Sequence, residues 1–293
     1  MAHKRALEAL DRILKDLRND WRCFGGAMIL LSGDFRQTLP VIPKSTAADE
    51  INACLKSSNL WRYVKKLQLV TNMRVALVND TSAEVLQAIA VNRERAILAA
   101  KNKDVNDLNF VIQNQIVGTL HTFKSIDCVT NEEEATNYPT EFLNSLDMPG
   151  LPPHNLQLKI GSVVIMLRNL NQPKLCNGTR LVITKLMANV IHAMILKGKF
   201  KSDEVLIPKI PMISIDMPFE FKRIQFPIRL AFAMTINKSQ GQSFSVCDLN
   251  LENACFSHGQ LYVACSRVGK PSALFVLAPD KKTKNIVYHK VLY

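Results

Sequence analysis

The sequence lacks any apolar run of the roughly 18 residues needed to cross a bilayer, and no Cys-x-x-Cys pair occurs among its seven cysteines. The 1–4 start, Met-Ala-His-Lys, carries no apolar h-region or cleavage site. An odd number of widely spaced cysteines then indicates a reducing compartment and ordinary buried thiols. The six histidines show no ligand spacing. A membrane span, a disulfide framework and a metal site are therefore not expected.

Acidic residues are also in short supply. The chain has 37 Lys and Arg against 25 Asp and Glu, a formal charge of +12. Clustered cations favour a polyanionic partner such as nucleic acid, because they neutralise phosphates and release counterions. A merely basic protein is the alternative that charge alone leaves open. With 293 residues that are 47% hydrophobic, the chain is long enough for two compact units.

A repeated order of strand, polar loop and helix predicts a parallel α/β fold. Leucines at helical spacing predict an amphipathic helix over residues 5–20, and residues 49–62 also look helical. Residues 67–70 and 96–100 read as strands, and Asp104 and Asp107 suit the first turn of the helix after the second strand.

The stretch "AMILLSGDFRQTLPVIP" runs five apolar residues, 27–31, into a polar loop. This pattern predicts a buried strand that ends at Asp34, Arg36 and Gln37. Ligands bind outside the carboxyl ends of strands in open α/β sheets, so this loop lies at a productive edge. An ordinary surface turn is the alternative.

Short alternating apolar runs between residues 158 and 213 predict β structure instead. Asn177-Gly178 between two of these runs is a strong hairpin signal, and the even spacing suggests a small barrel. The apolar strand pattern typical of a parallel α/β sheet returns at "IRLAFAMTI". A β insertion within an α/β domain is the simplest interpretation.

The loop "TINKSQGQS" follows that last strand, yet it is no phosphate-cradling P-loop. That loop requires Gly-x-x-x-x-Gly-Lys-Ser/Thr, and no segment of this chain matches it. The pairs Asp49-Glu50 and Asp203-Glu204 do not follow an apolar strand either, so an acidic magnesium motif is not found. Ser239, Gln240 and Gly241 must therefore serve something other than primary triphosphate binding.

Five separated blocks, in order, resemble the Pif family of superfamily-one DNA helicases, especially the type carried by Helitron transposons. They are "LLSGDFRQTLPVIP", "NMR", "LRNLNQPKLCNGTRLVITKL", "FKRIQFPIRLAFAMTINKSQGQSF" and "HGQLYVACSRVG". The resemblance implies an α/β fold with RecA-like parallel sheets of the P-loop NTPase type and an inserted small β-barrel. It further implies that residues 1–75 are the C-terminal part of an incomplete first RecA-like domain. Residues 76–150 would then hold a connector and the start of the second RecA-like domain, residues 151–215 the barrel, and residues 216–293 the rest of the second domain.

The family grips ATP between two RecA-like domains and moves 5′ to 3′ along single-stranded DNA. By resemblance, Gln37 senses the γ-phosphate, and Arg74 and Arg267 face it from the second domain; these three are the expected catalytic residues. Gly241 joins them as an expected nucleotide-binding residue. Ser257 is the predicted N-cap of a short helix that aims Arg267. A guanidinium suits this role because phosphoryl transfer spreads negative charge over oxygens.

The same resemblance implies DNA contacts from two loops. Pro40 lies in the segment expected near the DNA, and Asn237, Lys238 and Ser239 belong to the loop expected to hold a DNA phosphate, where Gly241 lets the backbone approach. The implied partners are single-stranded or forked duplex DNA, bound by a monomer without a membrane partner. The implied cofactors are ATP and Mg²⁺, the implied roles are DNA repair, recombination and telomere maintenance, and the implied location is the nucleus.

In this family the P-loop and the acidic pair lie upstream of the first block, and the 1–20 stretch resembles the part directly after that pair. The main ligands for ATP and Mg²⁺ are thus expected outside the given chain, and the isolated chain is expected to be inactive. A decayed transposon copy that only binds single-stranded DNA is one alternative. An unrelated basic α/β binding protein is another.

Overall fold

The computed structural model describes residues 2–42, 45–67, 95–130, 137–148, 150–214, 217, 219–279 and 282–292. The chain forms two compact units, as its length predicts. Unit 1 consists of Met1–Ser82, Leu98–Lys101 and Thr235–Tyr293, and unit 2 of Ala83–Ile97 and Asn102–Met234. The finer division into four segments stays a prediction. Within the described ranges, no helix is long and apolar enough to cross a membrane.

The helices are α1 (Lys4–Arg18), α2 (Ala47–Ala53), α3 (Asn102–Gln115), α4 (Thr140–Ser145), α5 (Gln260–Cys265) and α6 (His289–Leu292). The strands are β1 (Ala96–Ala99), β2 (His121–Lys124), β3 (Ile126–Val129), β4 (Asn155–Leu158), β5 (Val163–Met166), β6 (Arg180–Leu186), β7 (Val190–Ile195), β8 (Glu204–Pro208), β9 (Ile210–Ser214), β10 (Phe221–Gln225), β11 (Ile228–Leu230), β12 (Ala233–Thr235), β13 (Cys247–Asn250) and β14 (Leu274–Leu277).

Helix α1 confirms the amphipathic helix predicted over residues 5–20. It ends at Asn19, which adopts the left-handed conformation. Asp11, buried on its inner face, accepts hydrogen bonds from Lys15 at 2.7 Å and from the Phe24 backbone at 2.6 Å. Burial alone would raise the pKa of Asp11, but these hydrogen bonds outweigh it and lower the pKa. The carboxylate therefore ties α1 to the turn Cys23–Gly26.

The buried strand predicted over residues 27–31 is wrong. These residues form no strand, and the side chains of Met28 and Leu30 are 98% and 85% exposed. An extended segment becomes a strand only when a neighbour pairs with its backbone, and no strand among the described residues does so here. The polar loop that follows is nevertheless folded, as described below.

The helix predicted over residues 49–62 forms in pieces. Helix α2 begins at a capping box in which Thr46 and Asp49 bond each other's backbone N–H groups. Two 3₁₀ turns, Leu55–Ser57 and Asn59–Tyr63, follow it. Of the strand predicted over 67–70, Leu67 is exposed and in no strand, and the remainder lies outside the described residues.

A small core in unit 1 joins distant parts of the chain. Leu39, Cys54 and Val291 are buried together, and Phe35, Ile51 and Tyr288 pack against them. The ring of Trp61 meets that of Phe35 edge to face at 5.3 Å. This core fixes the loop that contains Phe35 against the C-terminal residues.

A four-stranded sheet has the order β12-β1-β13-β14. β1 confirms the strand predicted over 96–100, and α3 after it carries Asp104 in its first turn. β13 and β14 pair in parallel, as the α/β pattern predicts.

Unit 2 is mostly antiparallel. One sheet has the order β11-β5-β6-β7-β8, and β2 pairs with β4. The two strand sets share one core that includes Leu156, Met166, Ile191 and Phe226. These strands confirm the β structure predicted between residues 158 and 213, while closure into a barrel stays a prediction. The β5 and β6 pair encloses Asn177-Gly178, which confirms that hairpin. A three-stranded sheet, β3-β10-β9, lies beside a second core around Phe221.

The predicted return to parallel structure at "IRLAFAMTI" is only partly correct. β11 pairs antiparallel with β5 and so belongs to the five-stranded sheet of unit 2. β12, three residues later, joins the four-stranded sheet. The apolar run reads alike in both because each strand contributes buried residues, Ile228 in β11 and Ala233 and Met234 in β12.

Unit 2 also buries an ion pair completely. Arg223 on β10 contacts Asp127 on β3 through two hydrogen bonds of 2.7 and 3.0 Å, and both side chains are fully buried. The same guanidinium donates to the carbonyls of Leu143, Leu146 and Pro152. Arg223 therefore holds the end of α4 and the chain after it onto the sheet.

Candidate functional site

The 33–38 loop folds into a turn around Asp34. Its carboxylate accepts from the backbone and the side chain of Arg36, each at 3.0 Å, and the Gln37 backbone donates to the Asp34 carbonyl at 3.1 Å. The Tyr262 hydroxyl donates to the same carboxylate at 2.9 Å. Burial would raise the pKa of Asp34, but the hydrogen bonds from Arg36 and Tyr262 lower it overall.

The 236–242 loop lies in the same unit. It opens with the 3₁₀ turn Ile236–Ser239 and contains Gly241 at φ +81°. A Cβ at Gly241 would meet nothing within 4 Å, so neighbouring atoms would not exclude a side chain there. The left-handed φ is the reason why glycine suits this position.

The side chain of Gln240 joins these two loops. Its amide nitrogen donates to the Gln37 side-chain oxygen at 2.9 Å, across 203 residues of sequence. Its amide oxygen accepts from the Thr38 hydroxyl at 3.1 Å. Both ends of one carboxamide are thus used, which fixes its orientation. Gln37 therefore cannot move independently of the 236–242 loop without breaking this bridge.

Arg267 contacts the other side of the 236–242 loop. Its guanidinium donates to the carbonyls of Ser239 at 3.2 Å and Gln242 at 3.0 Å, and to Val263 one helical turn back at 2.8 Å. The residue is only 2% exposed. In this arrangement Arg267 braces the loop from inside the unit, and its expected role toward a nucleotide stays a prediction.

Helix α5 begins differently from the prediction. Its N-cap is Gly259 at φ +72°, not Ser257, whose hydroxyl donates to Glu50 at 3.1 Å. A Cβ at Gly259 would lie 2.4 Å from the Arg36 carbonyl oxygen. Only glycine lets the 33–38 loop approach this closely, so a serine cap is displaced. The Gln260 side chain instead accepts from the backbone of residues 256 and 257.

The predicted DNA-binding residues differ in exposure. Lys238 is exposed and Asn237 is partly exposed, whereas Pro40 and Ser239 are buried. The Ser239 hydroxyl donates to the Ile236 carbonyl at 2.7 Å, so it is already engaged within its own turn. The DNA contacts expected of Ser239 and Pro40 stay predictions, and in this arrangement both residues are buried.

The structure thus brings Gln37, Ser239, Gly241 and Arg267 together around one loop. Arg74 lies outside the described residues. Sequence reasoning missed Thr38, His258, Gly259 and Tyr262, and it singled out Gln240 without predicting its bridge. These five residues make the contacts between the loops. Their position beside the predicted motifs indicated that they could belong to the site. Their contacts could not be predicted, because the partners lie more than 200 residues away in sequence.

A metal does not fit the described residues. No group of three or more His, Cys, Asp or Glu side chains converges among them. Mg²⁺ prefers carboxylate and phosphate oxygens, and the one carboxylate in the site, Asp34, is engaged by Arg36 and Tyr262.

Comparison with known proteins gives a consistent result. The family profile described as PIF1-like helicase matches residues 1–106, and that of the DNA helicase Pif1 2B domain matches residues 141–186. The ATP-dependent DNA helicase PIF1 of Danio rerio is 26% identical over 96% of this chain and 45% of its own length. That of Homo sapiens is 27% identical over 93% of this chain and 44% of its own length.

Solved structures show the same fold. A Pif1 helicase from Candida albicans superposes with a TM-score of 0.72 at 23% identity, over 100% of this chain and 72% of that chain. A Bacteroides Pif1 bound to single-stranded DNA gives a TM-score of 0.68 at 19% identity, over 100% of this chain and 72% of that one. The chain spans less than half the length of the curated relatives above.

Proposed function

We propose that the chain belongs to the PIF1-like helicase family and forms part of an ATP-dependent DNA helicase, because residues 1–106 match the PIF1-like helicase profile and residues 141–186 match the Pif1 2B domain profile. The enzyme would couple ATP hydrolysis to 5′ to 3′ movement on single-stranded DNA and to duplex unwinding, in DNA repair, recombination and telomere maintenance in the nucleus. Mg²⁺ would accompany the ATP, but no step is assigned to it because the described residues offer it no site.

One observation carries the proposal. The Gln240 carboxamide bridges the 33–38 loop to the 236–242 loop, and Arg267 braces the second loop from behind. A shift of Gln37 on contact with a phosphate would therefore be transmitted to Lys238 and Gly241 through direct hydrogen bonds. Coupling between two sites requires such a shared element, whose position both ligands can bias.

The roles follow from exposure and charge. Gln37, Arg74 and Arg267 serve the γ-phosphate, with Gly241 beside them. Lys238 and Asn237 contact the DNA backbone, since Lys238 offers an exposed cation. Pro40 and Ser239 shape these loops from within, because both are buried. Arg267 must leave at least one of its carbonyl partners if it is to bond a phosphate directly.

Binding of single-stranded DNA by the 293-residue chain tests the DNA half of the proposal. We expect an affinity that falls steeply with salt, because Lys and Arg release counterions when they bind phosphates. Lys238→Ala should reduce the slope of log affinity against log salt by about 1. Lys65→Ala, which removes an exposed lysine elsewhere in unit 1, is the matched control and should leave the slope unchanged. A salt-independent affinity, or equal effects of both variants, would contradict the assignment.

ATP turnover by the same chain tests the other half. We expect negligible DNA-stimulated hydrolysis, because the chain contains no Gly-x-x-x-x-Gly-Lys-Ser/Thr segment to cradle the β-phosphate. A coupled-enzyme assay with and without single-stranded DNA measures this directly. Robust turnover by the purified chain would overturn the expectation that its site is partial.

A further inference from the structure

His258, which has no part in the proposed function so far, lies where three segments of the chain meet. The residue is 1% exposed. Its Nε2 is 2.8 Å from the Phe35 carbonyl oxygen, and its Nδ1 is 2.9 Å from the Tyr288 backbone nitrogen. The imidazole also stacks on the Tyr288 ring, with centroids 5.3 Å apart. Segments around residues 35, 258 and 288 therefore meet at one side chain.

These two partners determine which ring nitrogen of His258 carries the proton. A carbonyl oxygen only accepts a hydrogen bond, so Nε2 must carry a proton. A backbone N–H only donates, so Nδ1 must carry a lone pair. The neutral tautomer with Nε2–H is the one form that satisfies both contacts. The Nδ1–H tautomer and the imidazolium would each place two donors face to face at Tyr288.

The next residue repeats the same three-way contact. The Gly259 backbone N–H donates to the Ile286 carbonyl at 3.1 Å, and its Cα lies against the Arg36 carbonyl. Two consecutive residues thus bind the 33–38 loop on one side and residues 286–288 on the other. Helix α5, which leads to Arg267, begins directly after them.

We propose that His258, held as the neutral Nε2–H tautomer, is a positioning residue that locks the 33–38 loop and the 286–292 segment to the start of α5. It thereby sets the spacing between Gln37 and Arg267. The consequence for catalysis rests on the proposed function of those two residues. The tautomer and the lock do not, and both are measured without nucleotide or DNA.

Nitrogen-15 NMR of the histidine side chains in the full chain tests the tautomer. We expect a protonated Nε2 and an unprotonated Nδ1 for His258, with the Nε2 proton protected from solvent exchange because the residue is buried. Comparison with His258→Gln assigns the signal. A ring that is Nδ1-protonated, or that averages rapidly between tautomers, would overturn the proposal. The wild-type chain alone decides this point.

Two conservative variants separate the halves of the lock. Glutamine places an amide N–H near the position of Nε2 and keeps the donor to Phe35, whereas asparagine places an oxygen near Nδ1 and keeps the acceptor for Tyr288. By hydrogen exchange, we expect His258→Gln to speed exchange of the Tyr288 amide about tenfold and to spare the 33–38 loop. His258→Asn should do the reverse, with faster exchange at the Gln37 amide.

Amides of β6 and β7, in unit 2, provide the internal control and should keep their protection in both variants. Equal loosening of both segments by the two variants would overturn the division of roles between the ring nitrogens. If the lock is confirmed while DNA binding fails its salt test, the proposed function is wrong and the positioning role stands. If DNA binding passes its salt test but the lock is not found, the positioning role is wrong and the proposed function stands.

Discussion

Gly259→Ala is expected to lower the free energy of unfolding of unit 1 by about 3 kcal/mol or more. A residue with a Cβ at φ +72° is strained, which costs about 1 to 2 kcal/mol. The new Cβ would also lie 2.4 Å from the Arg36 carbonyl oxygen and 2.7 Å from the Gln37 carbonyl carbon. Backbone atoms cannot yield as a side chain can, so overpacking adds about 1 to 3 kcal/mol.

Gly241→Ala provides the matched control. Gly241 shares the positive φ, at +81°, but a Cβ there meets nothing within 4 Å. Only the backbone strain remains, so a loss of about 1 to 2 kcal/mol is expected. Both tryptophans, Trp21 and Trp61, lie in unit 1, so urea unfolding followed by tryptophan fluorescence reports on this unit. Equal losses for the two variants would refute the close approach at Gly259.

Arg223→Met is expected to destabilise unit 2 by about 3 to 5 kcal/mol. The substitution keeps most of the side-chain volume but leaves Asp127 as a buried charge without its ion-pair partner. It also removes the donors to the carbonyls of Leu143, Leu146 and Pro152. Hydrogen exchange of the β3 and β10 amides measures the loss in unit 2.

Arg229→Met is the control for that substitution. Arg229 also donates to a carboxylate, that of Asp147, and to backbone carbonyls, but its ion pair is partly exposed. Water can replace such contacts, so a loss of about 1 kcal/mol is expected. A loss for Arg223→Met no larger than this one would show that the buried pair does not hold α4 and the sheet together.

Local pattern was sufficient for elements whose signal lies within one turn or one strand. Helix α1 formed where the leucine spacing predicted it. The hairpin formed around Asn177-Gly178, and the alternating runs of unit 2 formed strands. The run 27–31 carried an equally clear strand signal but has no strand beside it among the described residues. β pairing is a non-local property that a single run does not contain.

The candidate site shows the same limit. Of the residues that the resemblance singled out, Ser239 and Gly241 belong to the 236–242 loop, and Gln37 and Arg267 contact it. The resemblance could not show that the Arg267 guanidinium is turned inward onto backbone carbonyls, or that Ser239 is buried. Exposure depends on tertiary packing, which motif identity leaves undetermined. The Gly259 cap was missed because its cause is a contact with Arg36, far away in sequence.

The proposed function requires that the 33–38 loop and the 236–242 loop act as one coupled element through Gln37 and Gln240. A double-mutant cycle with Gln37→Ala and Gln240→Ala, measured by urea unfolding with Trp61 beside the 33–38 loop as the probe, tests this most directly. We predict a coupling free energy of about 1 kcal/mol, the net value of one intramolecular hydrogen bond. Losses that simply add, to within about 0.3 kcal/mol, would contradict it.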